Sequence, residues 1–391
     1  MSRFNKILLF IIAFVAVYFI PFESGLIQES ILEAFHMVQY YAREHVLFCL
    51  IPAFFVAGAI ASFLSKNAII KYFGKEAKKW IAYSVASVSG AILAVCSCTV
   101  LPLFASIYKT GAGIGPATAF LYSGPAINIL AIILTARVLG WQLGLARVVG
   151  AVGFAFIIGV IMATVFKEED QARQDRAMQV APDAGKENRS GLQNIFYFAT
   201  LVLILIFLAW AEPEQAEGLW YTIYQIRWPV AIALLLVLAV MLIKWFDREE
   251  ISEWLDSTWE FTEMITPLLF AGVLIAGFLM GRPGTEAGLI PESLVANLVG
   301  GNSLSANLLA SVLGAFMYFA TLTEIPILEG LLGLGMGNGP ALALLLAGPA
   351  LSLPNMLVIH RVLGTKRTAV FIVLVVIMAT ISGMIYGNLV L

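Results

Sequence analysis

Charge is scarce in this chain. Asp, Glu, Lys and Arg make up 12% of its 391 residues against 60% hydrophobic ones, a balance that excludes an ordinary soluble domain. The charges nearly cancel, 23 basic against 25 acidic. No basic stripe or aromatic-interleaved patch offers a surface for nucleic acid. Cysteine and histidine occur three times each, too few for a disulfide framework. Cys96 and Cys98 are too close in sequence for a loop staple, and Cys49, inside an apolar run, reads as a small buried hydrophobe. The pattern G-x-x-x-x-G-K-[S/T] is missing, so ATP is not a built-in energy source, and no cofactor is expected. The first apolar run, 7–22, follows Arg3 and Lys6 without a small-residue cleavage pattern and is expected to remain as an anchor.

What is present is apolar length. Mean hydropathy is +0.91, and runs at 7–22, 47–64, 80–95, 99–108, 116–136, 141–166, 195–210, 228–243, 265–280, 306–319, 325–334, 340–359 and 369–386 are candidate membrane segments. A full crossing needs about 20 helical residues, and several runs fall short of that. The connections differ in charge. Residues 65–79 hold five lysines and one acid, which assigns them to the cytoplasm by the positive-inside rule. The short basic stretch with Arg361, Lys366 and Arg367 goes to the same side. The acid-rich stretches 23–46 and 212–227 read as external connections, and 167–193 as a mobile polar cytoplasmic linker. All these loops take their preferred sides if 80–108 enters the membrane and returns as a hairpin instead of crossing it.

Residues 90–140 recur without a gap as residues 314–364. Eighteen of the 51 aligned positions are identical, among them Pro102/Pro326, Gly111/Gly335, Gly113/Gly337, Gly115/Gly339, Pro125/Pro349 and the Arg-Val-Leu-Gly runs at 137 and 361. The similarity continues upstream, from 52–64 to 267–279. Duplicated hydrophobic units broken by Gly and Pro mark secondary transporters, whose binding sites lie where the repeats meet. The expected fold is therefore an all-α integral membrane protein of two homologous, inverted repeats. Each carries a broken, re-entrant hairpin that meets the other near the bilayer midplane. The expected division is 1–166 for the first repeat (hairpin 80–110), 167–193 for the linker, 194–211 for a linking helix, and 212–391 for the second repeat (hairpin 305–334).

The copies differ at their most reactive positions. The first carries Cys96-Ser97-Cys98-Thr99, and the second Ala320-Thr321-Leu322-Thr323-Glu324. Proline at 102 and 326 removes a backbone donor and is expected to break each element. The glycines at 111, 113, 115, 335, 337 and 339 permit backbone shapes that other residues resist. Irregular backbone at membrane depth is tolerated only inside protein or beside a watery cavity. Such a bend can aim two thiolates at one atom, and soft thiolates select soft centres such as monovalent copper, zinc or trivalent arsenic. Two inert buried cysteines are the plainer alternative. Glu324 aligns with Val100; an acid at membrane depth must be protonated, paired or wetted, which suits a proton acceptor or a direct ligand. Thr99 and Thr323 can satisfy freed backbone or touch substrate. Asn128, its counterpart Ser352, and Asn355 follow the Gly-Pro breaks and serve either substrate or helix packing. Glu329 reads as a cavity-edge or structural residue. His360 reads as interfacial, and His36 and His45 as surface residues of an acidic loop.

At Cys96-Ser97-Cys98-Thr99-Val100-Leu101-Pro102, Thr323-Glu324-Ile325-Pro326, Gly335-Met336-Gly337-Asn338-Gly339-Pro340 and Gly348-Pro349-Ala350-Leu351-Ser352-Leu353-Pro354-Asn355 the chain resembles the ArsP-like permease family of bacteria. The resemblance spans nearly everything except 167–193 and 211–264. It implies a multi-pass inner-membrane permease without enzymatic activity. The implied cargo is a trivalent organoarsenical or soft metal ion, and the partners are membrane lipid, with room for a homo-oligomer. No His- or Cys-rich tail supports a dedicated copper or zinc exporter. The expected reading is an ion-coupled exporter in which Cys96 and Cys98 capture the soft centre and Glu324 couples release to proton entry. An intramembrane sulfur-relay protein and a carrier for another small anion with structural cysteines are its rivals.

Overall fold

The computed structural model describes residues 14, 18, 21–63, 79–93, 97–127, 129–179, 190–210, 218–282, 287–290, 298–316 and 324–390. Their secondary structure is helical apart from one antiparallel bridge between Gly300 and Met336. The first half contains α1 (Gly25–Tyr41), a π-helical stretch (Ala42–Leu50), α2 (Ile51–Phe63), α3 (Lys79–Leu93), α4 (Ser97–Thr110), α5 (Ile114–Ala126) and α6 (Ile129–Leu134). A π-helical turn (Thr135–Leu139), α7 (Trp141–Val165) and α8 (Lys167–Gln179) complete it. After α9 (Gly191–Leu208) come α10 (Leu219–Trp245), α11 (Arg248–Met280), α12 (Leu304–Phe316), α13 (Glu324–Gly333), α14 (Asn338–Leu351), α15 (Leu353–Leu363) and α16 (Thr365–Val390). Helices α7, α10, α11 and α16 are long and apolar enough to cross a membrane, and two bent helix pairs raise the candidate spans to six.

The repeat visible in the sequence is also a repeat of elements. α5 and α14 begin at equivalent positions, as do α6 and α15, and α7 and α16. The turns between elements match as well. Gly111 and Gly335 have φ of 123° and 107°, and Gly140 and Gly364 have φ of 102° and 82°, values that an L side chain resists. The helix crossings match too. A methyl group on Gly115 would lie 2.8 Å from the Gly159 carbonyl oxygen, and one on Gly339 would lie 2.6 Å from that of Gly383. Small residues thus let α5 approach α7, and α14 approach α16, backbone to backbone.

α5 and α14 form the centre. Every residue of α5 is buried, and so is every residue of α14 from Gly339 onward. A helix that is apolar on all sides belongs inside other helices. At 1.5 Å per residue each spans about 20 Å, short of the roughly 30 Å of hydrocarbon. α14 ends at Ser352 and α15 departs at 49°.

Several segments differ from the sequence-based expectation. The acid-rich stretch 23–46 is helical from Gly25 onward, and its Glu33 is buried with its charge met by Arg282 from beyond α11. His36 therefore lies on helix α1, and the backbone of His45 on the π-helical stretch. The polar segment after α7 opens as helix α8, with three acids in its first turn, where they suit the positive end of the helix dipole. Asp170 of α8 accepts from the Ile114 amide at 2.8 Å, and Arg173 donates to the Tyr108 and Ala112 carbonyls at 2.6 and 2.5 Å. α4 runs through Pro102; the proline leaves the Cys98 carbonyl without its helical donor and sets its ring against that carbonyl, but does not end the helix. Pro326 is the third residue of α13, where the missing N–H has no helical partner to lose.

Candidate functional site

Among the described residues two charged side chains are wholly buried, and they meet. Glu324 opens α13 and Arg147 stands two turns into α7, both at 0% exposure, with Arg147 Nη2 2.5 Å from Glu324 Oε1. The pair joins the two copies of the repeat. Local structure holds Arg147 in place. Its Nε donates at 3.0 Å to the carbonyl of Ala126, the last residue of α5, where helix carbonyls lack partners and the dipole is negative. Its Nη1 donates at 3.0 Å to Thr135 Oγ1, and that hydroxyl donates to the Ala131 carbonyl at 2.6 Å. Thr135 opens the π-helical turn, a backbone form frequent at functional sites.

Burying two ions costs several kcal/mol each, and mutual attraction repays this only when the remaining polar atoms are satisfied. Satisfaction is incomplete here. Neither Glu324 oxygen nor Arg147 Nη2 has a hydrogen-bond partner among the described residues, and neither do the buried hydroxyls of Tyr122 and Ser352. The repeat shows that the fold does not require these groups. The positions equivalent to Tyr122, Thr135, Arg147 and Glu324 are Leu346, Ile359, Phe371 and Val100, each buried and apolar. Each copy supplies one member of the ion pair and, at the position equivalent to the other member, a hydrocarbon side chain: Val100 in the first copy and Phe371 in the second.

The remaining sequence candidates divide. Cys96, Asn128 and Thr323 lie outside the described residues, and Cys98 is described only as backbone in the first turn of α4. Thr99 is buried in that turn. Ser352 sits buried at the bend between α14 and α15. Asn355 donates to the Pro349 carbonyl at 3.1 Å, which places it in satisfying the backbone freed at that bend. Glu329 is exposed, and His360 is exposed and bonded to Thr365. Among the described residues no three His, Cys, Asp or Glu side chains gather as metal ligands. Sequence reasoning singled out Glu324 and missed Arg147. The signal was there: Arg147 is the one charged residue of α7, whose 25 residues are otherwise apolar or neutral.

Comparison with known proteins agrees with a membrane protein. Residues 30–388 match the family ArsP_1, described as "Predicted permease". The UPF0718 protein MJ0584 of Methanocaldococcus jannaschii is 47% identical over 350 residues, covering 89% of this chain and 93% of its own. The UPF0718 protein YraQ of Escherichia coli is 22% identical over 297 residues, 76% of this chain and 64% of its own. The UPF0718 protein YcgR of Bacillus subtilis is 25% identical over 122 residues, 31% of this chain and 41% of its own. No solved structure matches the chain.

Proposed function

The chain belongs to the ArsP_1 family of predicted permeases, and on that premise we propose that it is an ion-coupled secondary transporter of the cell (inner) membrane that exports a thiophilic metalloid or metal species. The observation that carries the coupled-transport reading is the Arg147–Glu324 pair, buried at a helix start and bridging the two copies. A charge pair between two bodies that move past one another must open during the cycle. An isolated carboxylate in a dry site is costly unless it takes a proton. Glu324 thus alternates between ion pair and acid. In this reading the two copies are inverted and their short central elements line the path. Cys96 and Cys98 capture the soft centre, with Thr99, Asn128, Thr323, Ser352 and Asn355 on the path.

The test uses everted membrane vesicles with an imposed pH gradient and methylarsenite or cuprous ion as cargo. Wild type accumulates cargo against its gradient. Glu324→Gln lowers proton-driven accumulation at least tenfold, and Cys96→Ser/Cys98→Ser abolishes it. Full transport by the double cysteine variant overturns the thiol part of the reading. Full transport by Glu324→Gln overturns the coupling role.

A further inference from the structure

We infer that Arg147 is a binding site for a small monoanion, and that the Glu324 carboxylate is its built-in placeholder, displaced when cargo binds. This deepens the permease reading and rests on it. It adds that a small monoanion, as the cargo or accompanying it, reaches this site.

Three observations carry the inference. Arg147 is fixed before any ligand arrives: Ala126 holds Nε and Thr135 holds Nη1, so the third edge, Nη2, keeps its direction whether or not Glu324 is present. A guanidinium presents donors in a rigid fork that suits anions. That third edge meets a single carboxylate oxygen as an ion pair, and Nη2 and both Glu324 oxygens are buried with no hydrogen-bond partner among the described residues. A permanent structural pair would have its polar atoms satisfied by hydrogen bonds; this one is held by charge. Finally, the Tyr122 hydroxyl is wholly buried and has no hydrogen-bond partner among the described residues, and it belongs to α5, the helix whose last carbonyl holds Arg147 Nε. It is a buried donor without an acceptor, of the kind an anion site uses. All these groups belong to the polar set whose repeat counterparts are apolar, so packing does not account for them.

The choice of monoanion follows from charge. One guanidinium balances one negative charge in a dry interior, and a second charge would stay uncompensated. Removing Glu324 leaves Arg147 buried without a counterion, and an external anion then gains the free energy that the carboxylate had supplied.

The experiment measures equilibrium binding of radiolabelled thiocyanate, a soft monoanion, to the purified full chain in detergent at one fixed pH. Glu324→Gln is expected to bind at least tenfold more tightly than wild type. Glu324→Gln/Tyr122→Phe is expected to bind several-fold more weakly than Glu324→Gln. Arg147→Phe/Glu324→Val, which copies the apolar counterparts Phe371 and Val100, is expected to show no saturable binding, and a cooperative thermal transition shows that it is folded. Equal affinity in wild type and Glu324→Gln, or retained binding in the Phe/Val double variant, overturns the inference. Proton-driven vesicle transport with no thiocyanate binding by any variant also overturns it and leaves the permease reading standing. The expected binding pattern without wild-type transport overturns the permease reading alone.

Discussion

The Arg147–Glu324 pair has a cost that its own repeat allows to be measured. Removing one partner leaves a lone buried charge and is expected to destabilise by about 3–5 kcal/mol, whereas replacing both with matched hydrocarbon is often neutral or stabilising. Arg147→Met and Glu324→Gln should each lower unfolding stability in detergent markedly. Arg147→Phe/Glu324→Val should recover most of the loss while proton-driven transport stays absent. If the double variant is as unstable as either single variant, the pair is structural cement and the functional reading weakens. At this scale the sequence was half informative. Glu324 was conspicuous because it stands where the other copy has Val100. Its partner went unnoticed because α7 lies beyond the aligned block, and nothing local announces which distant charge an arginine will meet.

Between elements, approach is governed by glycine and by a charged clasp. Gly159→Ala places a methyl 2.8 Å from the Gly115 carbonyl oxygen, and Gly383→Ala places one 2.5 Å from that of Gly339. Backbone cannot yield as a side-chain tip does, so each is expected to cost about 1–3 kcal/mol, read as a lowered unfolding temperature. Equal losses at the two sites would match the equivalence of the crossings. The clasp is local to the first copy. There Asp170 and Arg173 hold the turn at Gly111–Gly113 from α8, with Arg173 over the Tyr108 ring at 3.9 Å. The equivalent turn at Gly335–Gly337 is held by backbone: the Gly337 amide donates to the Val299 carbonyl at 3.1 Å. Asp170→Asn should therefore speed hydrogen exchange at the Ile114 amide by more than tenfold and leave the second turn unchanged. Unaltered exchange at Ile114 would show that the clasp does not hold the turn. Composition alone suggested a mobile linker, because a run of Lys, Glu, Asp and Gln looks solvated until its partners, carbonyls and an amide at a helix break, are seen.

For the whole molecule, sidedness is the open quantity that charge predicts. With the segment 80–108 re-entrant, reporters fused within 65–79 and after Gln179 should read cytoplasmic, and a reporter within 212–217 should read external. A cytoplasmic signal at 212–217 would mean that α3 and α4 together cross, and the two copies would then not be inverted. The bundle itself limits how motion can occur. α5 and α14 are buried in it and cannot leave it, while α7, which carries Arg147, packs on α5, α14 and α16. Movement of one copy against the other must therefore pass through the contact that the ion pair bridges.

The sequence by itself determined the membrane character, the duplication and its register, the glycines that turn each unit, and the acid that breaks the symmetry. Each of these is written in composition or in spacing along one chain. Only the tertiary structure decided that this acid meets an arginine of the other copy, that Thr135 and the end of α5 hold that arginine, and that α8 clasps the first turn. Those contacts join residues far apart in sequence, and which of the few charges in an apolar chain will pair depends on how the helices pack.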